Sequence, residues 1–235
     1  MRGLLVTATD TDVGKTILSA ALLAAMAAAG ERVCAYKPAV TGLDDRSEVD
    51  QPGAWPPDHE LLASTAGMAP QDVAPLRYGR AVSPHLAAQL AGERINPADL
   101  VTHARETGDD EAALIVEGVG GLLAPLAEDY TVRDFAVALG LPLLIAARPG
   151  LGTINHTLLT LEAARAVGLN VRAVVLTPWP EDPSALELSN RETIAHMGEV
   201  QVEALSRVRS PAAADLRRAG AELPWRRWLE GSSSS

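Results

Sequence analysis

The sequence reads as an α/β domain in which a doubly wound, mainly parallel sheet carries helices on both faces. Three observations lead there. Apolar runs of strand length alternate with helical stretches along most of the 235 residues. Those runs are continuously apolar instead of alternating with a period of two, which fits strands buried on both faces. Each is bounded by Gly, Pro or Asn, residues that interrupt regular structure and favour short connections.

In chain order, residues 4–6 form the first strand, and a helix over residues 15–29 follows a turn, with Leu18, Leu22 and Ala25 on one face and Gly30 as its stop. Residues 33–36 are the second strand. Residues 43–57 are polar, acidic and rich in Pro and Gly, and read as a mobile loop. A helix over 97–106 leads to a strand at 113–116, a helix over 132–139 to a strand at 143–147, and a helix over 154–167 to a strand at 172–176. No internal repeat is visible. Residues 1–230 are expected to form one domain, and Gly231–Ser235 a disordered, low-complexity tail.

Composition excludes several classes. The chain is 47% hydrophobic and 21% charged, enough to bury one sizeable core. No apolar run approaches the roughly 20 residues of a membrane-spanning helix. The apolar stretch at residues 1–6 is too short for a signal peptide. Twenty basic against 30 acidic residues leave a formal charge of -10, so bulk attraction to nucleic acid or an anionic membrane is not expected. One cysteine, Cys34, excludes a disulfide framework and a cysteine metal cluster. The expectation is a soluble cytoplasmic domain.

The lysines are sharper. Of the 20 basic residues only Lys15 and Lys37 are lysine. A compact, rotatable ammonium suits a terminal phosphate better than a planar fork does. Both follow strand-like runs, where open α/β sheets place their ligands.

Lys15 belongs to Gly14-Lys15-Thr16, at a strand-to-helix turn. There backbone N–H groups and the helix N-terminus cradle phosphates, the lysine reaches the outer phosphate, and the threonine hydroxyl holds Mg²⁺, as in a P-loop NTPase. Thr9 stands where the usual first glycine belongs, and Asp10 stands where partition-type switch ATPases carry a second lysine. That departure weighs against a nucleotide-dependent switch, the alternative reading.

The block T-x-T-D-T-x-V-G-K-T at residues 7–16, followed by Y-K-P-x-x-T-G at 36–42, resembles the dethiobiotin synthetase family. S-P-H at 83–85, V-E-G-V-G-G-L at 116–122 and G-L-G-T-I-N-H at 150–156 match the same family in order; W-P-E-D-P at 179–183 and S-N-R at 189–191 do so more loosely.

The resemblance implies an ATP-dependent ring closure of 7,8-diaminononanoate with CO₂, through a carbamate and a carbamic-phosphoric anhydride, on a homodimer. It implies that Lys37 grips the carbamate and γ-phosphate and acts with Lys15 in catalysis. Nucleotide contacts are expected from Asp12, Val13, Gly14, Lys15, Thr16 and Ile17, and from Glu117, Gly118, Val119 and Gly120. Mg²⁺ is expected on Thr16, Glu117 and Asp58, with Asp50 as the rival acid. Asp12 is also placed to orient the metal or a substrate amine. Substrate contacts fall on Thr11, Lys37 and Thr41, and the substrate carboxylate on the loop Gly150, Leu151, Gly152, Thr153 and Asn155 of the neighbouring subunit. The base is expected near Thr177, Pro178, Leu205, Ser206 and Arg207. Family members that select adenine tend to carry an asparagine where this chain has Thr177 and Pro178, so base choice is expected to be relaxed.

The remaining conspicuous residues read as structural. The five histidines lack metal spacing, and Cys34 reads as a small core residue. Trp225-Arg226-Arg227-Trp228 is too short for a membrane-surface helix and reads as surface packing.

Overall fold

The computed structural model describes residues 1–44, 55–108 and 111–230. β1 (Arg2–Ala8) turns into α1 (Lys15–Ala28) and continues through β2 (Val33–Tyr36) and β3 (Ala39–Val40). Then come α2 (Asp58–Ala66), α3 (Pro70–Val73), β4 (Leu76–Arg77), α4 (Pro84–Leu90) and α5 (Pro97–Thr107). β5 (Ala113–Glu117) precedes a small hairpin, β6 (Pro125–Ala127) and β7 (Tyr130–Thr131), and α6 (Val132–Leu139). β8 (Leu143–Ala147), α7 (Thr153–Arg165), β9 (Val171–Trp179), α8 (Ala185–Gly198), β10 (Val202–Ser206), α9 (Ala213–Ala221) and α10 (Trp225–Glu230) complete it.

The central sheet has six strands in the order β10-β9-β8-β1-β5-β2, and every pairing in it is parallel. Alternate residues of each strand enter opposite cores. Leu4, Val6 and Ala8 face α1, α2, α9 and α10, whereas Leu5 faces the side covered by α5, α6, α7 and α8. The continuous apolar strands expected from sequence are therefore buried on both faces.

Three expectations need correction. α1 is not one-sided: Leu18 through Met26 are all buried, because the sheet lies on one side and α2 and α9 cover the others. The strand at 172–176 runs on to Trp179. β8 stops opposite Leu176, but β10 pairs onward to Trp179 across a register shift, and Pro178, which has no N–H to donate, falls at that irregularity. Trp225 and Trp228 are 6% and 1% exposed; they are core residues of α10, not surface packing. Most of the loop read at 43–57, and the whole tail at 231–235, lie outside the described residues. Among the described residues, no helix is long and apolar enough to cross a membrane.

α1 and α9 approach closely because Gly220 carries no side chain. A Cβ built there would lie 2.0 Å from the carbonyl oxygen of Ala21. At an open helix position, Gly→Ala stabilises by up to about 1 kcal/mol. At Gly220 the sign reverses, since backbone cannot move aside as a side chain tip can. Gly220→Ala is expected to destabilise the protein by about 2 kcal/mol, the usual scale of overpacking. A lower urea midpoint with unchanged slope is the expected result; an unchanged or higher midpoint contradicts it.

Candidate active site

Register brings the site together. In the sheet Val6 pairs with Glu117, and Val116 pairs with Tyr36. The phosphate-loop segment, Glu117 and Lys37 therefore leave three adjacent strand ends at the same edge, where ligands of such sheets bind. Lys37 is steadied from outside the sheet as well, its N–H donating to the carbonyl of Val73 at 2.8 Å.

The side chains form one connected polar group. Lys37 Nζ donates to Glu117 Oε1 at 2.5 Å and to Asp58 Oδ2 at 2.7 Å. The Thr16 hydroxyl donates to the same Glu117 oxygen at 2.9 Å. Glu117 has no exposed surface and Lys37 is 4% exposed, whereas the Asp58 side chain is about half exposed. Burial pulls the Lys37 pKa down, but Asp58 and Glu117 outweigh it and hold the ammonium above its usual range. For Asp58, burial opposes ionisation, and the charge and hydrogen bond of Lys37, helped by Thr16, hold it below the usual carboxylate range. Lys15 is lowered, chiefly by burial, with Glu117 opposing and Lys37 adding to the shift.

Asp58 is the first residue of α2, with Pro57 at the N-cap position and no side-chain cap. Glu117 Oε2 is buried with no hydrogen-bond partner. An unpartnered carboxylate oxygen beside a threonine hydroxyl and a second carboxylate is a hard oxygen donor set, which fits Mg²⁺. Asp50, the rival acid, lies outside the described residues.

A cavity of about 360 Å³ opens over this group. Thr11, Asp12, Gly14, Lys15, Thr16 and Ile17 line it together with Lys37, Thr41, Asp58, Val119 and Gly120. Gly14 sits at φ +99° as the N-cap of α1, a left-handed conformation in which other residues are strained. Val13 is 2% exposed and packs beneath the loop. The Gly118 N–H donates to the Val6 carbonyl at 2.8 Å, extending the strand pairing.

Other expected site residues stand apart from this cavity. Thr177 is 2% exposed and its side chain packs against Gly14, so it backs the phosphate loop. Leu205 is fully buried, the Ser206 hydroxyl donates to Glu222 at 2.9 Å, and the Arg207 N–H donates to the Trp179 carbonyl at 3.1 Å. With Pro178 they cluster at the ends of β9 and β10. The loop Gly150, Leu151 and Gly152 leads into α7 at Thr153, with Asn155 exposed in its first turn. Leu151 is 91% exposed, and the loop does not line this chain's own cavity.

Some contributors escaped the sequence reading. Trp55, Pro56 and Leu61 wall the cavity; the only signal was an apolar Trp-Pro-Pro inside a polar loop. The Asn190 amide donates to the carbonyls of Pro149 and Gly150 at 2.9 and 3.2 Å and anchors the outward loop. Arg148 donates to the Asp12 carbonyl at 3.0 Å. Its only signal was its place just past a strand end.

Comparison with known proteins completes the picture. Residues 2–212 match a family model described as an AAA domain. The chain is 40% identical over 211 residues to an ATP-dependent dethiobiotin synthetase BioD of Anaeromyxobacter sp. (strain Fw109-5), covering 86% of this chain and 92% of that one. It is 35% identical over 199 residues to the protein of the same name from Bacillus subtilis (strain 168), covering 84% and 83%. Among solved structures, the cell division ATPase MinD of Pyrococcus furiosus superposes with TM-score 0.53 at 19% identity, over 99% of this chain and 93% of that one. ParA of pnob8 gives 0.55 at 12%, over 92% and 88%. At such identities these two likenesses show the P-loop NTPase-like fold alone. The extent and identity of the sequence matches, over a chain whose phosphate loop, Lys37 and Glu117 meet at one sheet edge, show that it belongs to the dethiobiotin synthetase family.

Proposed function

We propose that this protein is an ATP-dependent ligase that closes the ureido ring of dethiobiotin from 7,8-diaminononanoate and CO₂. The observation that carries the reading is the buried Lys37 between Asp58 and Glu117, beside Lys15 at the mouth of a phosphate loop. The chemistry must join two anions, a carbamate and a triphosphate, so concentrated positive charge is needed where they meet.

In the first step one amine of the substrate adds to CO₂ and loses a proton, leaving a carbamate. A carbamate oxygen then attacks the γ-phosphorus and the bond to the ADP oxygen breaks. Lys37 neutralises the carbamate and the transferring phosphoryl group, while Lys15 and the N–H groups of Val13 to Thr16 hold the phosphates. Finally the second amine attacks the carbamoyl carbon, phosphate leaves and the ring closes with loss of a proton. Thr16, Asp58 and Glu117 would hold Mg²⁺, which supplies charge stabilisation to the phosphates when bound. Thr11 and Thr41, both in the cavity lining, would offer hydroxyls to the substrate.

Its outward attitude and the 91% exposed Leu151 support a carboxylate-binding role for the Gly150–Asn155 segment in the site of a second copy. The active species in this reading is a two-fold homodimer.

The direct test incubates the protein with the diamine, bicarbonate and Mg-ATP and detects dethiobiotin by mass; no product overturns the reading. Lys37→Gln is expected to lower kcat by roughly a hundredfold or more, the scale of one lost electrostatic donor, and near-normal turnover contradicts the role given to Lys37. Mixing Lys37→Gln chains with chains altered in the Gly150–Asn155 loop is expected to restore about one working site per mixed dimer, and full activity from a demonstrated monomer excludes a shared site. Base choice follows from Thr177, which packs against Gly14, and from Pro178, which has no N–H to offer. CTP or GTP is expected to support kcat/KM within about tenfold of ATP, a difference below about 1.4 kcal/mol. A preference for ATP above a hundredfold assigns base recognition to another group.

A further inference from the structure

Lys37 stands in an unusual place for a group meant to grip substrate. Its ammonium does not point free into the cavity; it bridges Asp58 Oδ2 and Glu117 Oε1 at 2.7 and 2.5 Å. These carboxylates, with the Thr16 hydroxyl on the same Glu117 oxygen, are also the donors that suit Mg²⁺. One pair of anions thus faces two cations. A compact ammonium with three rotatable donors can occupy a position between two carboxylates, and a divalent ion competes for the same oxygens with twice the charge.

We propose that Lys37 is the internal counter-ion of the metal site, and that metal binding displaces its ammonium from Asp58 and Glu117 toward the cavity. This rests on the proposed metal ligands of the ligase reading and adds an order to it. Before loading, Lys37 neutralises Glu117, a carboxylate without exposed surface that otherwise stays buried uncompensated. After loading, the carboxylates are held by the metal and Lys37 is released to meet an anion. The lysine that grips the carbamate becomes available only when the metal site is filled. An empty nucleotide site then holds no free ammonium at Lys37 to trap stray anions.

Two measurements without nucleotide or diamine test this. Mn²⁺ affinity is read by electron paramagnetic resonance for the wild type, Lys37→Met and the double variant Lys37→Met/Asp58→Asn. Removing a cation that shares both carboxylates removes competition and repulsion together, so Lys37→Met is expected to bind Mn²⁺ at least about tenfold more tightly than wild type. The double variant is expected to lose that gain. Equal or weaker binding by a folded Lys37→Met overturns the proposal.

If Lys37→Met does not fold, the wild type decides alone. The chain has only two lysines, so lysine labelled with ¹³C at Cε gives two side-chain signals, assigned with Lys15→Arg. Saturating Mg²⁺ is expected to move the Lys37 signal, and a Lys37 signal unchanged by Mg²⁺ overturns the proposal in that case. Neither measurement depends on product. Failure to form dethiobiotin therefore defeats the ligase reading and leaves this one standing, and an unmoved Lys37 with normal turnover does the reverse.

Discussion

A carboxylate with no exposed surface, Glu117, is the constraint around which the rest of the site is arranged. An isolated buried carboxylate is costly, and losing one partner of a buried ion pair typically costs about 3–5 kcal/mol. Lys37 and the Thr16 hydroxyl meet that demand on one oxygen. Each comes from a different strand-to-helix or strand-to-loop junction. The charge balance at Glu117 therefore ties the phosphate loop, the end of β2 and the end of β5 to one another. Asp58 joins from the start of α2 as the exposed member, where solvent screens its share of the attraction.

That arrangement depends on parallel register. A shift of one residue between β5 and β1 would turn Glu117 toward the opposite core, because successive strand residues face opposite sides. The two apolar cores prevent the slip: Val6 and Ile115 fill one layer while Leu5 and Val116 fill the other. Packing of small side chains sets the geometry further. Alanine-rich α1 lies flat between sheet and helices, and Gly220 lets α9 close over it. The helices α9 and α10 thus contribute to the site indirectly, by covering the helix whose first turn carries Lys15 and Thr16.

The loop after β8 shows a different solution. Asn190 fixes its carbonyls and Arg148 ties its base to the phosphate loop, yet its tip faces outward. The loop is thus held firmly at its base while Leu151 at its tip is exposed.

Five of the six central-sheet strands and four of the helices were legible because apolar periodicity and Gly, Pro and Asn boundaries are local signals. Gly14-Lys15-Thr16 was legible for the same reason, since its chemistry lies within consecutive residues, and the ordered blocks carried the family resemblance beyond it. Other features were not local. β10 escaped notice because its run, Val202–Ser206, is interrupted by Glu203 and Ser206, and it becomes a strand by pairing with β9. Trp225 and Trp228 looked like surface residues beside two arginines, yet burial of their rings in the core layer beneath β1 outweighed the charge between them. The contact of Lys37 with Glu117 joins residues 80 apart, and no spacing rule encodes it. Residue types and local order follow from short-range sterics and patterning. Which charges meet, and which residue backs Gly14 or anchors the outward loop, follows from long-range register and packing, whose energy exists only once the sheet has closed.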